Sequence, residues 1–266
     1  MNIWTEISAD FAQQKNYLDE LYKVYPITPN HRRELPKEIE KDIREAFINK
    51  ENEKLIKNLL RLDLFPIKDS YVAYLKRDKD AIKRNPQTIN RIAENLYQMG
   101  IEEIIEKCTE PKETNRQIGP MFKQWIDKGT LGVPIIKNSE EFLNYSENCI
   151  FNASDAKMQK FAMEYFGFNR EKGIDFIAKF NNKYIIAEAK FLTDFGGHQN
   201  EQFDDAVRTM QDSFEGKKVD NEIIPIAIMH GVLYIKGNNK MYRYLQNHPD
   251  QIIISSLVLR KFLYSI

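Results

Sequence analysis

The sequence predicts an α/β protein with a mixed β-sheet and flanking helices, preceded by a mainly helical N-terminal region. Three observations predict it. Residues 1 to about 145 carry their apolar side chains at helical spacing. From about residue 150 the order reads helix, strand, strand, helix, strand, helix, which suits a mixed sheet with covering helices. Within that order, two apolar runs flank Asn181-Asn182 and read as a hairpin. The expected division is a helical region, 1–145, and an α/β core, 146–266.

The elements follow in chain order. In "LPKEIEKDIREAFINKENEKLIKNLLRL", Ile39, Ile43, Phe47, Leu55, Leu59 and Leu60 recur at helical spacing. "NPQTINRIAENLYQMG" has Asn85 for the N-cap, Pro86 in the first turn and Gly100 as the stop. The Gly- and Pro-rich stretch after it predicts one short helix, "GPMFKQWI", between loops. "NASDAKMQKFAMEYFGF" reads as a helix capped by Asn152 or Ser154. After the hairpin, "QNEQFDDAVRTMQDSF" places Phe203, Ala206, Val207, Met210 and Phe214 on one helical face. "IIPIAIMHGVLYI" predicts one or two strands, and "DQIIISSLVLRKFLYSI" a strand and a terminal helix.

Composition narrows the function classes. Lys and Arg together number 39, as do Asp and Glu, so no general attraction to polyanions exists and any nucleic-acid surface is a local patch. Two cysteines without metal-type spacing, Cys108 and Cys149, predict reduced thiols in a cytoplasmic protein. The first residues lack the pattern of a signal peptide. No apolar run approaches the roughly 20 residues of a membrane span. Phosphate-loop, dinucleotide and nucleophile-elbow motifs are missing from the sequence.

The chemistry concentrates in "GIDFIAKFNNKYIIAEAKF", residues 173–191. Two consecutive asparagines tolerate positive φ and suit a two-residue turn. Phe180 then pairs with Lys183, and continuing the register sets Asp175 opposite Glu188, about 5 Å apart at Cβ. Lys190 points to that same face. Facing carboxylates destabilise a sheet, and the surrounding Ile, Phe and Ala residues predict burial, where charge is costlier still. A divalent cation compensates both carboxylates at once, and Mg²⁺ prefers such oxygen ligands. Lys190 beside it would position a water or neutralise charge on a phosphate. The set suits metal-assisted phosphodiester hydrolysis.

"GID" at 173–175 followed after twelve residues by "EAK" at 188–190 resembles the signature of the PD-(D/E)XK nucleases. Ile174 stands where the family's name has proline. The element order around it is also similar to that superfamily's restriction-endonuclease-like core. The resemblance covers about residues 150–235. It implies that Asp175 and Glu188 hold Mg²⁺ and that Lys190 serves the attacking water. It also points to Glu164, on the preceding helix, as a possible additional active-site residue. The continuation "EAKFLTDFGGHQNEQF" looks most like a type II restriction endonuclease. That implies a homodimer cutting double-stranded DNA at a short site, leaving 5′-phosphate ends, in the cytoplasm of a prokaryotic cell. The alternatives are a repair or recombination nuclease of the same fold and a non-catalytic DNA-binding protein.

Further DNA contacts are expected at three places. Gly197, at a helix start beside the active-site strand, lets backbone approach a phosphate. His198, Gln199 and Gln202 follow it with hydrogen-bonding groups for bases or phosphates. Asn115, Arg116 and Gln117 offer the side chains that read guanine and adenine edges. Lys83 and Arg84 lie in a locally basic run, 76–91, suited to phosphates. His230, following an apolar run, reads as a core residue.

Overall fold

The structure, a computed structural model, describes residues 1–26, 32–111 and 117–266. Its first helices are α1 (Ile3–Ala12) and α2 (Tyr17–Val24). Next come α3 (Lys37–Ile48), α4 (Asn52–Leu59), α5 (Ser70–Arg77), α6 (Ala81–Arg84), α7 (Pro86–Met99) and α8 (Ile101–Cys108). Then follow α9 (Ile118–Asp127), β1 (Ile135–Ile136), α10 (Ser139–Asn144), β2 (Cys149–Phe151) and α11 (Asp155–Phe166). The chain continues through β3 (Phe176–Phe180), β4 (Lys183–Leu192), α12 (Gly197–Met210) and β5 (Ile223–Gly231). It closes with α13 (Lys240–Asn247), β6 (Ile253–Ile254) and α14 (Ser256–Leu263). The class is α/β, as the sequence predicts. Among the described residues, no helix is long and apolar enough to cross a membrane.

Two compact units divide the chain: Met1–Ile27 with Thr114–Ile266, and Thr28–Glu113. The expected boundary near residue 145 does not coincide with this division. The reason is that α1, α2 and α9 supply core to the sheet unit, and β1 and β2 belong to its sheet.

The Thr28–Glu113 unit is helical and closes its own core around Ile43, Leu55, Ile56, Leu59, Ile92 and Leu96. The predicted long apolar run from residue 35 breaks between α3 and α4, where Lys50 takes a φ of 57°. Helix α7 starts with Pro86 in its first turn and stops at Gly100, whose φ is 86°. Asn85 does not cap it; its side chain bonds the Ala81 carbonyl instead.

The other unit is built on one six-stranded sheet in the order β1-β2-β3-β4-β5-β6. The β2–β3 and β3–β4 pairs are antiparallel, and β1–β2, β4–β5 and β5–β6 are parallel. Alternation along each strand separates two faces. On one face, Phe176, Ala178, Ile185, Ala187 and Ile226 pack with Phe122 of α9 and Phe262 of α14. The opposite face holds two clusters. Ile177 and Ile186 meet Phe161 and Phe166 of α11, while Leu192, Ala227 and Met229 meet Phe203 and Val207 of α12. Strand β4 runs from the first of these clusters to the second, so positions 188 and 190 fall in the gap between them. The "IIPIAIMHGVLYI" stretch is a single strand ending at Gly231, followed by a short 3-10 turn, Val232–Tyr234. Only glycine fits at 231: its φ is 94°, and a Cβ would lie 1.9 Å from the Leu192 carbonyl oxygen.

Candidate active site

The hairpin forms as the two asparagines dictate. Asn181 and Asn182 have φ values of 46° and 62°, and the register runs from Phe180↔Lys183 to Phe176↔Ala187. There the ladder stops, one pair short of the expected Asp175–Glu188 pairing. Asp175 N–H donates to the Ala187 carbonyl at 3.1 Å. Its carboxylate turns to β4 and accepts the Ala189 N–H through Oδ2 at 2.8 Å. A side-chain oxygen thus replaces the strand carbonyl that β3 no longer supplies, and β4's amide stays satisfied. Oδ1 lies on the side of Gly119 in α9, where a Cβ would approach it to 3.8 Å.

Glu188 is 1% exposed. Lys190 Nζ lies 2.5 Å from its Oε1, and Lys172 Nζ lies 2.8 Å from the same oxygen. Both ammonium groups act there as point charges, because Oε1 has no hydrogen bond of proper geometry. Oε2 accepts from the Thr209 hydroxyl at 3.0 Å. Lys172 also reaches Asp205 Oδ2 at 2.8 Å, and its ammonium beside Asp205 holds that carboxyl below its ordinary range. Arg170 Nη1 donates to Thr209 Oγ1 at 2.9 Å.

Asp175 feels the same cluster. Burial pushes its carboxyl up to about 6, and the negative charge of Glu188 adds to this. The Ala189 N–H and the charges of Lys190 and Lys123 pull the other way. Lys123 also pairs with Asp155 and donates to the Ala153 carbonyl. The result is two partly compensated carboxylates with two ammonium groups within contact of one of them.

Among the described residues, no set of three or more His, Cys, Asp or Glu is arranged to hold a metal ion. The acidic pair here therefore suits a cation that keeps several waters and takes substrate phosphate rather than one needing an all-protein cage. The pair fits such an ion on one observation: Glu188 Oε1 is a buried anionic oxygen with no hydrogen-bond partner. Burial without such a partner is costly, and two lysines offset the charge only by proximity.

The remaining expected residues fall in different places. Glu164 is exposed on α11 and lies 4.0 Å from Lys218, so the structure does not bring it into the cluster. The outward turn of the helix there explains this, since Phe161, Ala162 and Phe166 take the buried face. Gln199 is buried, and its Oε1 accepts the Thr193 N–H at 3.1 Å, so it braces the loop instead of facing outward. His198 is exposed with a ring nitrogen 3.0 Å from Gln202 Nε2. Gly197 opens α12 with free space where a Cβ would be. Gln117 is half-buried just before α9. Asn115 and Arg116 lie outside the described residues. Lys83 and Arg84 are exposed at the end of α6, with Arg84 bound to Asp78 at 2.5 Å. His230 is fully buried against Tyr25 and Phe191, which drives its imidazole down to about 3.

Sequence reasoning missed Lys172, Asp205, Thr209 and Arg170. The only signal for them was indirect: Thr209 sits among core positions of α12, and Lys172 closely precedes the hairpin. Nothing in their spacing relates them to Glu188.

A family model described as Tsp45I type II restriction enzyme matches residues 2–266. No curated protein and no solved structure matches.

Proposed function

The chain belongs to the Tsp45I type II restriction enzyme family and is a site-specific deoxyribonuclease; we propose that Asp175, Glu188 and Lys190 are its catalytic set. Asp175 and Glu188 would hold Mg²⁺. When bound, Mg²⁺ polarises the scissile phosphate and lowers the pKa of a water. The observation that carries this reading is the Lys190 ammonium 2.5 Å from the buried Glu188 carboxylate, beside Asp175.

Each side chain has a task. Asp175, tied by the Ala189 N–H, presents its second oxygen from the end of β3. Glu188 brings its carboxylate into the gap between two apolar clusters. Lys190 orients the attacking water and offsets charge developing on a non-bridging phosphate oxygen. Water attacks phosphorus, the bond to the 3′ oxygen breaks, and the ends are a 5′-phosphate and a 3′-hydroxyl.

DNA grip is assigned to surfaces around this centre and to the helical region. The open N-terminus of α12 at Gly197, with His198 and Gln202 exposed or half-exposed beside it, offers backbone N–H groups to a neighbouring phosphate. Lys83 and Arg84 of the Thr28–Glu113 unit are candidates for sequence-independent phosphate contact. The helical region expected at 1–145 would contribute recognition and the contact between two copies, since cutting both strands of a symmetric site calls for a two-fold dimer. The cytoplasm of a prokaryotic cell is the compartment that this activity implies.

Incubation of the protein with mixed plasmid DNA, with Mg²⁺ or with EDTA, tests the reading. Discrete fragments in Mg²⁺ alone, labelled by kinase only after phosphatase treatment, are expected. Equal cutting in EDTA, or ends that label without phosphatase, would count against it.

A further inference from the structure

Thr209 lies in the last turn of α12 and is 1% exposed. A threonine hydroxyl has one hydrogen and two lone pairs. Arg170 Nη1 donates to its oxygen at 2.9 Å and fills a lone pair. The single hydrogen then has two acceptors in reach, the Asp205 carbonyl at 3.2 Å and Glu188 Oε2 at 3.0 Å. Glu188 is the nearer and the charged one, and hydrogen bonds to ionised acceptors are roughly twice as strong as neutral ones. With Oε2 held in this way, Oε1 is the oxygen turned toward Lys172 and Lys190, and it makes no hydrogen bond.

We propose that Thr209, itself held by Arg170, is a positioning residue that fixes which oxygen of Glu188 faces the metal position. The inference rests on the reading of Glu188 as a metal ligand. The last torsion of a glutamate side chain is broad, so nothing intrinsic to Glu188 selects one oxygen. The hydroxyl supplies that selection. Mutating a partner that orients a ligand from behind typically costs about 10- to 100-fold in metal affinity. The guanidinium behind the hydroxyl keeps its hydrogen directed to the carboxylate. An ordinary helical threonine, bonded back to the carbonyl four residues earlier, would have no such effect.

Mn²⁺ accepts the same oxygen ligands as Mg²⁺, and its free concentration is read by electron paramagnetic resonance. Titration of Mn²⁺ into the full-length protein, without DNA, compares wild type with Thr209→Val, Thr209→Ser, Arg170→Met and Glu188→Gln. Near-ultraviolet circular dichroism checks the fold of each. Thr209→Val is expected to weaken Mn²⁺ binding by about 10-fold. Thr209→Ser restores it, Arg170→Met gives a smaller loss of the same sign, and Glu188→Gln gives the largest. Wild-type affinity in Thr209→Val, with binding lost in Glu188→Gln, would overturn the positioning role and leave Glu188 as a ligand. An equal loss in the valine and serine variants would assign the effect to packing and overturn it as well. Unchanged affinity in Glu188→Gln removes both readings. Should Thr209→Val fail to fold, Arg170→Met decides: weakened binding supports the role, and wild-type affinity overturns it.

Discussion

Among the described residues, the sheet unit buries a charged cluster around Glu188 that the Thr28–Glu113 unit lacks. In the Thr28–Glu113 unit charges pair at the surface. Arg44 meets Glu102, Lys57 meets Glu53, and Arg91 meets Asp69, with at least one partner of each pair substantially exposed. In the sheet unit, Glu188 is 1% exposed and two lysines crowd one of its oxygens. Solvent screens pairs of the first kind, and their median contribution is about 0–1 kcal/mol. The second kind carries a desolvation cost that folding alone does not need. A buried cluster with perturbed ionisation marks a place where function sets the composition, whereas surface pairs do not.

Breaking the buried cluster therefore has the largest effect. Lys190→Ala is expected to lower kcat by about 10²–10⁴-fold, measured under single-turnover conditions, with DNA binding retained. A change below threefold would place Lys190 outside the chemistry.

Asp175→Asn separates stability from activity, and the sign follows from where the proton sits. The native carboxyl titrates near 6, against 3.8 for an unperturbed group. Between these values the folded protein holds a proton that the unfolded chain has released, so stability falls as pH rises through that window. Above it the cost of burying the charge is in full force. Asp175→Asn removes that cost while its amide oxygen still accepts the Ala189 N–H. In urea unfolding without metal, the variant is expected to be more stable than wild type at pH 8, by at most about 3 kcal/mol. The gain should vanish by pH 3.5, although the variant is inactive. The same titration predicts that Mg²⁺ affinity of the wild type falls as pH drops below about 6, because the ligand must be deprotonated.

Lys172 tests how much of the cluster serves the site. Lys172→Met leaves Lys190 on Glu188 and removes the nearest partner of Asp205, so cleavage is expected to fall about 10-fold, as for other groups that orient a ligand. The smallest effect belongs to the other unit. Glu102→Ala, which removes an exposed partner of Arg44, should barely move the thermal melt and leave cleavage untouched. A larger loss there would erase the contrast between the units.

The part of this site written in local sequence was legible. Asn181-Asn182 announced the turn, the turn set the register, and alternation placed Glu188 and Lys190 on one face. The fold class followed from periods of apolar residues in the long elements. Other features have no local signature. Strands β1 and β2 are two and three residues long, too short to show a period of two, so the start of the sheet unit was not visible. Asp175 leaves the ladder because its carboxylate can bond an amide, and a register count contains no such term. Gln199 and Gln202 look alike in sequence, but only Gln199 is fully buried, which depends on the loop it braces. Thr209 and Lys172 meet Glu188, and Asp205 meets Lys172, through tertiary packing alone.

The central claim is that Asp175, Glu188 and Lys190 act together on DNA. Side-by-side digestion of mixed plasmid DNA in Mg²⁺ by wild type, Asp175→Asn, Glu188→Gln and Lys190→Ala, each first shown to be folded and to bind DNA, tests it most directly. Discrete fragments from wild type, with none from any of the three variants, are the predicted result. Fragments of the same sizes and at a similar rate from any one of them would contradict it.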